Sequence, residues 1–213
     1  LIAAPGRIVE VVVDSTTYSV NEARATHNLL ATAGITYVDA PVSGGASGAR
    51  AGTLAMMVAA PDDVFARLLP LLNPMAKNAR HVGREPGQGM AMKLLNNFLS
   101  GMAMAATSEA MAFGASQGLD MSTIIDTIAV SSGKNTAITD KFPNRILPER
   151  YDSGFTTQLM TKDLTLYVDS CKNLGAPHQL SETLLQNVWR RMCNEMPESD
   201  FTEIYPFTIK FNG

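Results

Sequence analysis

The chain has 213 residues, 46% of them apolar and 17% charged, with a formal net charge of −3. That is enough for one sizeable domain or two small ones, and a mildly acidic balance with no basic run excludes nucleic acid and anionic membrane surfaces as partners. The two cysteines, Cys171 and Cys193, lie far apart and outside any CxxC pattern, so buried free thiols in a reducing compartment are expected, and no metal site.

Leu1 onward has no basic segment, and Pro5-Gly6 interrupts it early, so no signal peptide is expected. The absence of an initiator Met points to a fragment or a processed product. Ile8-Val9-Glu10-Val11-Val12-Val13 reads as a strand of a parallel sheet covered on both faces. It ends in Asp14-Ser15-Thr16-Thr17, small hydroxyl residues at the carboxyl end of a strand, where open α/β sheets bind ligands. A turn with locally satisfied side chains is the plainer reading.

Ser19 followed by Glu22 fits a capping box, which predicts a helix over 20–33, stopped by Gly34. Ile35-Thr36-Tyr37-Val38 is then the second strand of a βαβ unit. Beyond Asp39-Ala40-Pro41-Val42 comes Ser43-Gly44-Gly45-Ala46-Ser47-Gly48, read as a glycine-rich loop whose N–H groups can turn toward an anion, with a flexible surface loop the equal alternative. A third strand is expected over 53–58. A helix follows from Pro61-Asp62-Asp63, with acids at its positive end and a stop or bend near Pro70. Residues 79–82 suggest a short edge strand.

Pro86-Gly87-Gln88-Gly89 marks a change of regime. Helices are expected over 88–117, 121–130, 134–142, 156–174 and 179–195, with a short one near 200–207. The first is almost free of charge except for Lys93, four residues before Asn97. Residues four apart lie about 40° apart around a helix axis, so the two share a face. A lone cation on an Ala- and Met-rich helix is costly to bury unless chemistry needs it; a lysine snorkelling to the surface is the alternative. Asn96, Asn97, Ser100, Thr107, Ser108 and Glu109 keep this stretch short of a membrane span. Twelve methionines, several on this helix, read as core filler. The expected architecture is therefore α/β plus all-α. Residues 1–86 form the C-terminal part of a Rossmann-type dinucleotide-binding domain, and 87–213 an all-helical domain reached through a long interdomain helix.

Three motifs stand in order: Asp39-Ala-Pro-Val-Ser-Gly-Gly45 with Gly52-Thr-Leu-Ala-Met-Met-Val58; Gly87-x-Gly89-x-x-x-Lys93-x-x-Asn-Asn97; and Gly154-Phe155 with Leu159-Met-Thr-Lys162-Asp163-Leu164. Together they resemble the β-hydroxyacid dehydrogenase family across essentially the whole chain. The resemblance implies an NAD- or NADP-dependent oxidoreductase that interconverts a small 3-hydroxy acid and its aldehyde. It implies Lys93 as general acid/base, an amine suited to that work when an apolar site lowers its pKa, with Asn97 aligning the lysine or the substrate hydroxyl. Ser43, Gly44 and Gly45 would meet the substrate carboxylate, with Asn96 on the flank. Thr17, with Thr16 beside it, would contact the cofactor, as would Lys162. For Lys162 a solvated lysine paired with Asp163 is the alternative, and for the asparagines helix contact or capping.

The resemblance also implies a homodimer or homotetramer through the helical domain, in the cytoplasm or, in a eukaryote, the mitochondrial matrix. The departures are a missing strand–GxGxxG fingerprint, so that the chain enters the family pattern late and is expected to be inactive alone; Ala59-Ala60 where glycines are usual; and Val20 where proline is common. A 6-phosphogluconate dehydrogenase would carry histidine at Asn96. Tartronate semialdehyde, glyoxylate and succinic semialdehyde reductases of the same family stay open, as does a non-catalytic dimerising helical module.

Overall fold

A computed structural model describes Gly6 and residues 8–211, and the reading of Leu1–Pro5 lies outside the described residues. The chain divides into two compact units. One holds everything described up to Asn96 together with Asp169–Gly175; the other holds Asn97–Val168 and Ala176 onward.

The first unit is a sheet with helices. Strand β1 (Val11–Asp14) pairs in parallel with β2 (Thr36–Asp39), and helix α1 (Val20–Ala31) makes the crossover. The capping box forms as expected. The Ser19 hydroxyl accepts from the Glu22 N–H at 3.1 Å, and the Glu22 carboxylate takes the Ser19 N–H at 2.9 Å. The expected parallel sheet is, however, mixed. Strand β4 (Ala55–Ala59) runs antiparallel to β2 and to the short β3 (Val42–Ser43), while β5 (Asn78–Gly83) lies parallel to β4 on its other side. β2 and β3 are one run of chain interrupted at Ala40-Pro41. Pro41 has no N–H to give the ladder but still accepts from the Met57 N–H at 3.0 Å.

Two further expectations change. Ser43–Gly48 is not an open loop: Gly45–Ala51 winds into helix α2, entered through Gly44 at φ 130° and Gly45 at φ 62°. Both angles lie where glycine alone is comfortable. Helix α3 (Asp62–Leu72) passes through Pro70. Pro70 sits in the last turn, so one lost hydrogen bond does not end the helix. The apolar faces of β2, β4 and α3 meet in a core of Val38, Met56, Val58, Leu68 and Leu72.

The second unit is helical: it takes α4 (Gln88–Ser116) from Asn97 onward and α6 (Thr157–Leu174) up to Val168, together with α5 (Met121–Ala129), α7 (Gln179–Leu184), α8 (Arg190–Glu195) and α9 (Ile204–Phe211). The helix expected over 134–142 runs later, over Ala137–Ile146, and is π-wound. The one expected over 179–195 is split by a π-wound stretch, Leu185–Trp189. The only tryptophan in the sequence, Trp189, is fully buried there among Met104, Phe142, Met160, Leu164 and Phe201. Among the described residues no helix is long and apolar enough to cross a membrane.

Candidate active site

Helix α4 begins where the glycines demand it. Asp39, the last residue of β2, is fully buried, and its carboxylate accepts from the Gly87 N–H at 3.1 Å and the Met90 N–H at 2.9 Å. It therefore caps the helix from a strand 48 residues away, satisfying donors that a helix start leaves open and placing negative charge at the positive end of the dipole. Burial pushes the Asp39 carboxyl above its ordinary value, and the backbone donors hold it down only in part. A side chain on Gly89 would meet the Met57 carbonyl oxygen at 2.6 Å and the Asp39 carbonyl oxygen at 2.7 Å. The glycines of Gly87-Gln-Gly89 thus serve a close approach of helix to sheet. They offer no pyrophosphate cradle, because the amides are taken by a carboxylate whose charge would repel phosphate. Sequence reasoning passed over Asp39. The signal was there, an acid ending a buried strand, but its partner lay a domain's length away.

One turn into α4, Lys93 is buried, with 8% of its surface exposed, so it does not snorkel. Asn97 follows one helical turn later and is also buried. Its amide nitrogen donates to Asp163 Oδ2 at 2.5 Å, while Lys162 Nζ lies 2.8 Å from Asp163 Oδ1. This contact exists because α4 and α6 pack closely. Phe98 stacks on Tyr167 with ring centroids 4.7 Å apart, and Gly101 leaves room for Met160 and Leu164. Lys162 itself is well exposed and paired with Asp163, the plainer of the two readings given for it, and Asn96 is half-buried on the flank.

In the first unit, Thr16 turns back on Asp14, giving its N–H at 3.0 Å and its hydroxyl at 2.6 Å to Oδ1. Tyr18 donates to Asp14 Oδ2 at 2.6 Å and bonds to the hydroxyl of buried Tyr37. Burial pushes the Asp14 carboxyl up, but the Thr16 and Tyr18 hydrogen bonds outweigh it and bring the group below its usual range. Tyr18 is pushed up to about 12 by burial and by Asp14. Thr16 is thus a local turn residue as well as a candidate contact, and Thr17 beside it is half-buried. Ser43 is half-buried at the end of β3, while Gly44 and Gly45 lie exposed at the start of α2. Within the units, then, Asn97, Asp163 and Lys162 come together directly. Among the described residues no cluster of three His, Cys, Asp or Glu side chains is arranged to hold a metal.

A sequence profile described as the NAD-binding domain of NADP-dependent 3-hydroxyisobutyrate dehydrogenase matches residues 87–208. A second, described as the NAD binding domain of 6-phosphogluconate dehydrogenase, matches residues 4–83. The chain belongs to the β-hydroxyacid dehydrogenase family. Within that family it is 40% identical over 171 residues to 3-hydroxyisobutyrate dehydrogenase of Pseudomonas aeruginosa, covering 77% of this chain and 57% of the relative. It is 39% identical over 167 residues to 2-(hydroxymethyl)glutarate dehydrogenase of Eubacterium barkeri, covering 78% and 55%. Among solved structures, Mycobacterium tuberculosis 3-hydroxyisobutyrate dehydrogenase with L-serine aligns at a TM-score of 0.86 and 31% identity, over 93% of this chain and 69% of that one. The chain spans a little over half the length of the first two of these β-hydroxyacid dehydrogenases.

Proposed function

We propose that the chain is the substrate-handling and helical portion of an NAD- or NADP-dependent oxidoreductase that interconverts a small 3-hydroxy acid and its aldehyde, with 3-hydroxyisobutyrate the leading candidate. The observation that carries this reading is the buried Lys93 one helical turn before an Asn97 tied to a buried carboxylate. The small molecules named with its relatives, 3-hydroxyisobutyrate, 2-(hydroxymethyl)glutarate and L-serine, share one skeleton: a primary hydroxyl on the carbon next to one that bears a carboxylate. The reaction class follows from that shared CH₂OH. The other semialdehyde reductions of the family are the alternatives on substrate.

In the oxidative direction Lys93, as the free amine, takes the proton from the hydroxyl, and Asn97 holds that hydroxyl in line. Ser43, Gly44 and Gly45 meet the carboxylate, with Asn96 beside the bound acid. Thr17, Thr16 and Lys162 contact the cofactor, which supplies a hydride acceptor when bound. Residues 1–86 serve as part of the nucleotide-binding domain and 87–213 as the all-α domain. Assembly as a homodimer or homotetramer is supported by an apolar stripe on α4, with Leu99, Ala106, Ala110 and Phe113 exposed and Ala103 partly so, at coiled-coil-like spacing. The free thiols suit a reducing compartment, the cytoplasm or, in a eukaryote, the mitochondrial matrix.

The test compares two proteins: the 213-residue chain, and the same chain extended ahead of Leu1 by a strand–GxGxxG half. The extended chain should reduce NAD or NADP with 3-hydroxyisobutyrate, and the shorter one should not. In the extended chain, Lys93→Ala should lower kcat by about 10²–10⁴ with cofactor affinity retained, the range for losing a general acid/base. Unchanged turnover in Lys93→Ala removes the lysine from the mechanism.

A further inference from the structure

We propose that Asp163 is a positioning residue that fixes which way the Asn97 amide faces, and so what Asn97 offers the reacting hydroxyl. The inference rests on the catalytic reading of Asn97 given above. An asparagine amide presents an acceptor at one end and two donors at the other, and the two orientations are nearly equal in shape. A carboxylate can only accept. With Asp163 Oδ2 2.5 Å from the amide nitrogen, that end is committed, and the Asn97 carbonyl oxygen must lie on the opposite side of its amide. Asn97 therefore keeps an acceptor, with its second N–H, for other partners. In the proposed reaction the Lys93 ammonium is the donor that calls for such an acceptor, and the second N–H can meet the oxygen of the substrate hydroxyl, whose one proton goes to Lys93. A flipped amide would present N–H groups to the ammonium, and in a buried place no bulk water relieves that mismatch.

Three features show that the orientation is built. Asp163 is 3% exposed, so its charge is held where an unpaired one would be costly. Its other oxygen, Oδ1, has Lys162 Nζ as countercharge at 2.8 Å. The helices on either side are locked by the Phe98–Tyr167 stack and by the close packing at Gly101, which leave the amide little freedom to follow a moved partner. One carboxylate thus links the asparagine proposed to act on substrate with the lysine proposed to act on cofactor.

The first experiment uses the 213-residue chain and needs no turnover. In a ¹⁵N-correlated spectrum the Asn97 side-chain amide, identified by its loss in Asn97→Ala, should show one proton shifted downfield and slow to exchange. Asp163→Asn should move it toward the exposed asparagines. An Asn97 amide already at the exposed position in the wild-type chain overturns the proposal, whether or not the variant folds. The second experiment uses the extended chain and the cycle Asn97→Ala, Asp163→Asn and both together. If Asp163 acts through Asn97, Asp163→Asn lowers kcat on the order of ten- to a hundredfold, and the double variant is no worse than Asn97→Ala alone. Losses that multiply, or an Asp163→Asn enzyme with wild-type kcat, overturn it. An extended wild-type chain with no 3-hydroxy acid oxidation would instead count against the proposed reaction, while the amide spectrum still decides the orientation.

Discussion

Gly89→Ala separates two forces that usually act together. Alanine is the better helix former, and replacing glycine by alanine in a helix ordinarily gains about 0.5–1 kcal/mol. At Gly89 the new methyl would lie 2.6 Å from the Met57 carbonyl oxygen, 2.7 Å from the Asp39 carbonyl oxygen and 2.9 Å from Asp39 Oδ2. Two of those atoms are backbone in the sheet and cannot rotate away. Overpacking costs about 1–3 kcal/mol, and backbone neighbours this close put the case in the upper part, about 2–3 kcal/mol, so the net expectation is a loss of about 1–2.5 kcal/mol, or a melting temperature lower by about 2–10 °C. Gly101→Ala in the same helix is the control. Its methyl would meet only side-chain atoms, Met160 Sδ at 3.0 Å, Leu164 Cδ1 at 3.4 Å and Trp189 Nε1 at 3.4 Å, of which the methionine can yield. It should fall within about 1 kcal/mol of wild type. Thermal melts followed by circular dichroism provide the comparison. A Gly89→Ala chain as stable as wild type, or more so, would refute the close approach of helix to sheet.

Asp39→Ala leaves the Gly87 and Met90 amides without their buried acceptor and should cost about 2 kcal/mol in urea unfolding. Asp39→Asn keeps one acceptor and should cost less, and the reverse order would contradict the capping role. The tyrosines predict an alkaline limit. Because Tyr18 is held up to about 12, above the ordinary value of 10, its contribution to stability is whole below pH 10 and is lost as the pH climbs toward 12. Tyr37 is raised further, in the same direction. Tyrosinate absorbance should therefore lag behind that of the urea-unfolded chain, and Tyr18→Phe should shrink the lag. Asp14 sets the opposite limit: its lowered value gives stability that is present above the unfolded carboxylate range and lost as acid protonates it, a loss that Asp14→Asn should abolish.

Local rules made much of the fold legible. The capping box at Ser19 and Glu22, the strand–helix–strand order up to Asp39 and the long helix from Gln88 all follow from neighbours within a few residues. What escaped were features set by distant partners. The antiparallel turn of β4 against β2 depends on which edge a strand finds, which period-2 patterning does not encode. The helical start at Gly45 looked like loop because two glycines disguise a turn whose left-handed angles only the folded chain displays. In the candidate site, the burial of Lys93 was legible because a cation is conspicuous on an apolar helix. Asp39 was not singled out, and Asp163 was named only as a partner for Lys162, not for Asn97. An acid at a strand end or within a helix carries no sign of burial until its partner at Gly87 or Asn97 is brought to it.

The strand-borne cap also bears on the order in which the chain folds. A helix capped by its own preceding residue can close its first turn alone, within the time of helix nucleation. Helix α4 cannot, because its cap lies at the end of β2, 48 residues upstream of Gly87, and reaches it only after β2 has taken its place in the sheet. The opening turn of α4, a few residues before Lys93, should therefore consolidate late, as long-range pairings do. Its Gly87 and Met90 amides should exchange with solvent at the pace of sheet opening, not of helix fraying. Lys93 takes its final position only when the sheet is already standing.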